Sequence, residues 1–349
     1  MKIISDNKNE NIQMKLTGFF TAFLLMTTLH QAVAQTDPHF TQNYTYPMYI
    51  NPALTGGSDG EYRVSAIYRS QWGAIGNPYR TTGVSFDTRT NKNISLGGNL
   101  INQSAGDGGF NYFNAYASIA YTGVKFGTGN NHRVVFAMQA GLINRRVDQT
   151  KFKWGEQWNP ITGYNAGNAT TESFAATSAT TLDIGTGVLY YDASPDKKTN
   201  VFGGLSFFHL NKPKDPIISN QSVALNTIPM RYTIHGGLSF NLSERTSIIP
   251  HVLYMQQGNA RETMLGTYVR HNLNEETDLM IGGYYRFKDA VAPFVGVDWR
   301  NFLIGLSYDV NTSKLGAMSR NINSFELSLS YIKRKGTKSI FDFIRCPRL

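Results

Sequence analysis

The chain has a single cysteine in 349 residues, Cys346, and it sits three residues before the end. A lone thiol excludes a disulfide scaffold. It reads either as a free thiol or as a small residue in a turn before Pro347. No apolar run reaches the roughly 20 residues a membrane-spanning helix needs. Beyond the first 34 residues no stretch of useful length has helical period. Catalytic signatures are missing too. There is no G-x-S-x-G and no Walker-type loop. Gly106–Gly109 lies between strand patterns and reads as a turn. The histidines after residue 34 are His39, His132, His209, His235, His251 and His271, and no two have metal-pair spacing. His235 and His251 sit where they could meet across adjacent strands, as solvated side chains rather than ligands. No enzyme, cofactor or metal is expected from such a chain.

The longest apolar stretch is Leu16–Leu29, led in by Lys15 and followed by Ala32-Val33-Ala34. A basic residue, a short apolar core and an A-x-A site read as a secretory signal over 1–34, with Gln35 first in the exported chain. Met14-Lys15 makes a better start than Met1. No cysteine near the cleavage site argues against a lipoprotein. The formal charge is +9. Residues 1–34 carry three lysines against Asp6 and Glu10, so the exported part is about +8. Export removes nucleic acid from the partners, and lipid phosphates or another envelope polymer are the natural counter-charge.

The remainder shows period-2 alternation, the mark of strands. In Asn323–Tyr331, Phe325, Leu327, Leu329 and Tyr331 fall on one face, opposite Ser324, Glu326, Ser328 and Ser330. Phe302–Asp309 and Arg231–Leu242 repeat the pattern. About fourteen strands follow, near 61–69, 80–88, 93–102, 111–125, 132–147, 179–191, 200–209, 230–242, 247–256, 263–272, 277–287, 290–298, 302–309 and 323–333. The odd-numbered gaps (first, third, fifth, seventh, ninth, thirteenth) read as long, and the even ones mostly as tight. Lys288-Asp289 is a short exception.

Alternating long and short connections, an even count and ten-residue strands predict an all-β, transmembrane antiparallel barrel of the outer-membrane type. A secreted β-sandwich would alternate equally well. The barrel is favoured by the number and length of the strands, by Tyr and Phe crowding their ends, and by the other face. That face is rich in Gly and Ser, with Arg69, Asp87, Asp183, His235, Arg286 and Asp298 among them. An even count puts both chain ends in the periplasm, so the segment 35–60 is expected to enter from the periplasmic mouth. Its prolines bar it from the ladder, and it must pack in the lumen, on the rim or on a partner.

Two other elements stand outside the ladder. Trp154 and Trp158, beside Lys151 and Lys153 in the longest loop, read as girdle residues or as an outer contact surface for a secreted protein or glycan. The tail 334–349 interleaves basic residues, Arg345 and Arg348 among them, with Phe341 and Phe343. It reads as an amphipathic periplasmic tail or as a docking peptide.

Asp37-Pro38-His39-Phe40-Thr41-Gln42, followed by Tyr49-Ile50-Asn51-Pro52-Ala53-Leu54-Thr55-Gly56, resembles the "DPxFSQ … NPAxxG" opening of the PorP/SprF family. Tyr68-Arg69-Ser70-Gln71-Trp72 with Gly76-Asn77-Pro78 is similar to that family's "YRxQW … GxP". Gly203–Ser206 with His209–Pro213 resembles its "GxSxxHLxxP", and Gly305–Val310 with Ser313-Lys314-Leu315 its "GYSYDxxxSxL". Glu326–Tyr331 and Cys346-Pro347-Arg348 complete the series. Thr41 departs from the family's Ser but keeps the hydroxyl. The insert 155–178 carries no family motif and reads as an outer loop.

The resemblance implies a non-catalytic outer-membrane barrel of the type IX secretion and gliding apparatus. It would serve export or surface attachment of adhesin-like substrates bearing a C-terminal sorting domain. Implied partners are outer-membrane lipid, a periplasmic peptidoglycan-binding OmpA-like protein and the secreted substrate. On that reading Asp37, Pro38, Phe40, Tyr49, Asn51 and Pro52 at the head, and Phe341, Phe343, Arg345 and Arg348 in the tail, are candidate docking residues. The alternative is a diffusion or uptake porin. Phe202, Phe208, Phe294 and Leu303 on the nominal inner face point to a filled lumen and against it.

Overall fold

A computed structural model of the chain describes residues 37–73, 78–90, 92–105, 109–171, 176–195, 197–214, 227–313 and 323–334. The secretory signal expected over 1–34 and the tail expected beyond Arg334 lie outside them. Fourteen strands form one closed antiparallel barrel in which each strand pairs with its neighbours in sequence. They are β1 (Tyr62–Gln71), β2 (Tyr79–Arg89), β3 (Ile94–Ala105), β4 (Phe110–Phe126), β5 (His132–Val147), β6 (Ser178–Asp192) and β7 (Thr199–Phe208). The second half is β8 (Arg231–Asn241), β9 (Thr246–Gln257), β10 (Ala260–Asn274), β11 (Thr277–Arg286), β12 (Ala290–Trp299), β13 (Phe302–Asn311) and β14 (Ser324–Lys333). β1 closes on β14 in an unbroken register from Tyr62↔Lys333 to Gln71↔Ser324. Every strand therefore has two partners and no edge is left, which is the condition for crossing hydrocarbon with strands.

The two faces are the reverse of a soluble protein's. In β14, Ser324, Glu326, Ser328 and Ser330 point inward and are buried, while Phe325, Leu327 and Leu329 point out. Leu327 is 48% exposed and Phe136 on β5 52%, and an apolar belt of such residues surrounds the barrel. At roughly 25 cal/mol per Å² this belt would be costly in water and is favourable in lipid.

The connections correct one expectation. The third and ninth gaps, read as long, are short: residues 106–109 and the two-residue turn Gly258-Asn259. The ladder runs further than the alternation suggested, to the pair Gln257↔Ala260. Gly258 takes φ +58°, the left-handed conformation that a two-residue hairpin needs. The long connections 148–177, 209–230 and 312–323 nevertheless all lie at one end, together with the ends of β1, β7 and β13. The other end carries tight turns such as 242–245, 275–276 and 300–301.

The segment from Asp37 to Gly60 lies inside the barrel. It folds into three short 3₁₀ turns, Asn43–Thr45, Pro47–Tyr49 and Pro52–Leu54. Pro47 and Pro52 open the second and third, where a missing N–H costs nothing. The Asn51 side chain caps the third by accepting from the Ala53 N–H at 2.9 Å. Tyr46, Met48, Ile50, Ala53 and Leu54 are essentially inaccessible.

Candidate functional site

The lumen is filled by this segment and by the inward residues of nearly every strand, and four levels of contact hold it. At the long-loop end, Asp37 is surrounded. Its carboxylate lies 2.8 Å from His209 Nε2 and 3.0 Å from Arg231 Nη1, and its backbone N–H donates to Gln257 Oε1 at 3.0 Å. His209 Nδ1 is 3.0 Å from Asp183, to which the Tyr116 hydroxyl donates at 2.6 Å. Arg231 stacks over Phe208 and Tyr49 at 4.1 and 4.3 Å and donates to the Tyr49 carbonyl at 3.1 Å. Burial alone would push the His209 pKa down, but the Asp37 charge and hydrogen bonds to Asp183 and Asp37 lift it to about 9, so His209 is cationic at neutral pH. Burial opposes ionisation of Asp37, yet His209 and Arg231 hold its carboxyl below the usual range.

A second cluster grips Thr41 and Gln42. Glu326 is fully buried and ion-paired to Arg69. It also accepts from the Thr41 N–H at 2.6 Å and the Gln42 N–H at 2.8 Å. Asp309 bridges Arg69 at 2.9 Å and Arg286 at 2.8 Å, and accepts from Thr41 Oγ1 at 2.9 Å. The Gln42 amide donates to Ser307 and to the Glu326 carbonyl and accepts from Ser328 at 2.7 Å. Charges taken out of water persist only when paired and hydrogen-bonded in this way.

Halfway down, Asn51 Nδ2 donates to the Val188 carbonyl at 3.0 Å and lies 3.1 Å from His235 Nε2. Ser206 donates to the Ile50 carbonyl at 2.6 Å. Two glycines make room here: a Cβ on Gly187 would lie 2.0 Å from Asn51 Oδ1, and one on Gly204 would lie 2.6 Å from Asn51 Nδ2. The Tyr44 ring sits 5.9 Å from His235 and 5.0 Å from His251, so the two histidines are separated by an aromatic ring. Phe202, Phe208 and Phe294 are buried on the inner wall, and Leu303 packs against the cluster that holds Phe202 and Phe294. At the short-turn mouth the Gly56 N–H donates to Asp87 at 2.7 Å, Arg63 pairs with Asp87 at 2.9 Å, and Arg334 bridges Asp59 and Asp298.

Asp37, Pro38, Phe40, Tyr49, Asn51 and Pro52 are thus all buried in the lumen, and as folded none presents a surface to a partner. The segment meets the short-turn mouth only at its far end, because its first residues pair with groups at the long-loop ends of β7, β8 and β9. Phe341, Phe343, Arg345 and Arg348 lie outside the described residues. Trp154 and Trp158 stand in the 148–177 loop. Trp154 stacks on Phe152 at 5.9 Å, and Trp158 lies against Tyr164 across a two-residue ladder, 55% exposed. Ile161 at its tip is 93% exposed. The pairing roles of Arg231, His209, Asp309 and Glu326 are not legible in the sequence alone. The available signal was their place on the polar face at strand ends, where the alternation already put Glu326 and Asp309.

Solved structures with a related fold include a toluene transporter of Ralstonia pickettii, TbuX (12% identity over 82% of this chain and 92% of that one, TM-score 0.48). The toluene transporter TodX of Pseudomonas putida compares at 12% identity, 82% and 93% coverage and TM-score 0.49. A FadL homologue of Pseudomonas aeruginosa compares at 9% identity, 85% and 95% coverage and TM-score 0.42. At these values they bear on no question of substrate. A search of curated proteins finds no match. The model of the family described as "Type IX secretion system membrane protein PorP/SprF" matches residues 32–331, from ahead of the lumen segment into the last strand. This membrane β-barrel belongs to the PorP/SprF family of type IX secretion system membrane proteins.

Proposed function

We propose that the barrel is a non-catalytic accessory of the type IX secretion and gliding apparatus in the outer membrane, supporting export or surface attachment of adhesin-like substrates. The observation that supports this reading over a diffusion porin is the filled lumen. A porin needs a continuous solvated path, and here buried ion pairs, three 3₁₀ turns and a wall of aromatic residues occupy it. A barrel without a pore works through its surfaces. At the outer end the hairpin bearing Trp158 and Ile161, with Trp154 behind it, is a surface for a secreted polypeptide. At the periplasmic end the tail 334–349, with Phe341, Phe343, Arg345 and Arg348, is the docking element for a peptidoglycan-binding OmpA-like protein.

Affinity purification of the tagged protein from gently solubilised envelopes, with and without residues 335–349, tests the reading. Co-purification of a peptidoglycan-binding periplasmic protein or a large secreted adhesin, with the periplasmic partner lost on truncation, is the expected result. A barrel that purifies alone in both forms would remove the accessory role.

A further inference from the structure

The lumen segment has a direction, and the direction is not the one that periplasmic chain ends suggest. Asp37 is held by His209, the residue after β7, by Arg231, the first of β8, and by Gln257, the last of β9. All three lie at the long-loop end. Thr41 and Gln42 meet Asp309 and Glu326, each two residues inside that end of its strand. Asn51 meets Val188 and His235 near mid-height. Gly56 meets Asp87, two residues from the short-turn end of β2, and Asp59 meets Arg334, just past the end of β14. The chain therefore traverses the lumen once, from the long-loop mouth to the short-turn mouth, and turns there into β1.

We infer that whatever chain precedes Asp37 leaves through the long-loop mouth, so that the amino end of the exported protein is presented on the outer face of the membrane. This rests on the outer-membrane reading, in which short turns face the periplasm. If export leaves Gln35 first, only two residues precede Asp37, a reach of about 7 Å, far too little to return through a lumen about 25 Å tall. Functionally, the amino end joins the Trp158–Tyr164 hairpin on the face that a surface-attached polypeptide meets. A periplasmic partner is left with the short turns, the Asp59–Arg334–Asp298 cluster and the chain beyond Arg334.

The test places one epitope tag at each of three positions: between Gln35 and Thr36, in the long loop at Gly167, and in the short turn at Glu244. Antibody binding is compared on intact cells and after permeabilising the outer membrane, with a heat-dependent mobility shift confirming a folded barrel. As a second probe, Gln35→Cys in a Cys346→Ser background is labelled with a membrane-impermeant maleimide. The inference expects the amino-terminal and Gly167 tags to be reached on intact cells, the Glu244 tag only after permeabilisation, and Gln35→Cys to label without it. An amino-terminal tag that sides with Glu244 while Gly167 is exposed, with no labelling of Gln35→Cys, overturns the inference and leaves the barrel's orientation standing. Glu244 reached on intact cells, with the other two hidden, overturns the orientation itself.

Discussion

Glu326→Gln removes one buried negative charge while keeping the shape of the side chain. The native carboxylate accepts three donors, the N–H groups of Thr41 and Gln42 and the Arg69 guanidinium. The carboxamide still accepts with its oxygen, but its NH₂ must face at least one of those donors, and Arg69 keeps only Asp309 as a charged partner. Breaking one side of a buried ion pair costs about 3–5 kcal/mol. Because the damage sits where the segment is held and not in the strand ladder, the cost falls on local opening. At 1.36 kcal/mol per decade, about 3–4 kcal/mol is a loss of roughly two to three decades of amide protection. Hydrogen exchange read by mass spectrometry would show it in peptides covering 38–50, while β14 amides paired to β1 and β13 exchange as in the wild type. The companion variant Arg69→Met/Glu326→Leu removes the ion pair together with the carboxylate that accepts from the Thr41 and Gln42 N–H groups, so it should leave 38–50 at least as unprotected as Glu326→Gln does. Unchanged exchange at 38–50, or an equal loss across the whole barrel, would refute the idea that this cluster is the fastening of the lumen segment.

Other consequences are as direct. His209 has its pKa raised from the ordinary 6.5 to about 9, so its contribution, about 3 kcal/mol by linkage, is complete below pH 6.5 and disappears as pH rises through 9. The midpoint of the heat-induced mobility shift should fall between pH 6 and pH 10, and His209→Gln should abolish that pH dependence. Gly187→Ala places a methyl group on Asn51. It should lower protection of peptides around residue 51 by at least tenfold, whereas Gly163→Ala in the exposed loop, where a Cβ meets nothing, should leave the lumen untouched. Leu327→Lys puts a charge on the lipid face near mid-strand, costing about 2–4 kcal/mol, and urea unfolding in lipid vesicles should register it.

The barrel was legible in the sequence because each strand needs only a period of two and a change of polarity between faces. The strand pattern Phe325/Leu327/Leu329 against Ser324/Glu326/Ser328 places every side chain once the chain is known to cross lipid. The wall's own contribution to the filling was legible too, from Phe202, Phe208 and Phe294 on the polar face. Less was visible where periodicity stops. The prolines of 37–60 exclude the ladder but say nothing about depth or direction. Those depend on distant partners, such as Glu326 for Gln42, 284 residues away, and His209 for Asp37, 172 residues away. No local pattern encodes such pairs, although charged residues on an inward face at strand ends are a usable hint. Strand ends were similarly uncertain at Gln257-Gly258-Asn259-Ala260, where one left-handed glycine replaces a loop with a hairpin.

The central claim is that the lumen is closed by the chain's own head segment, and conductance in planar bilayers tests it most directly. Purified wild-type protein should be electrically silent over a range of voltages. A variant lacking residues 37–56, folded by the mobility-shift criterion, should open a steady, wide conductance. Stable ohmic channels from the wild-type protein, of the same size as those of the deletion, would contradict the account.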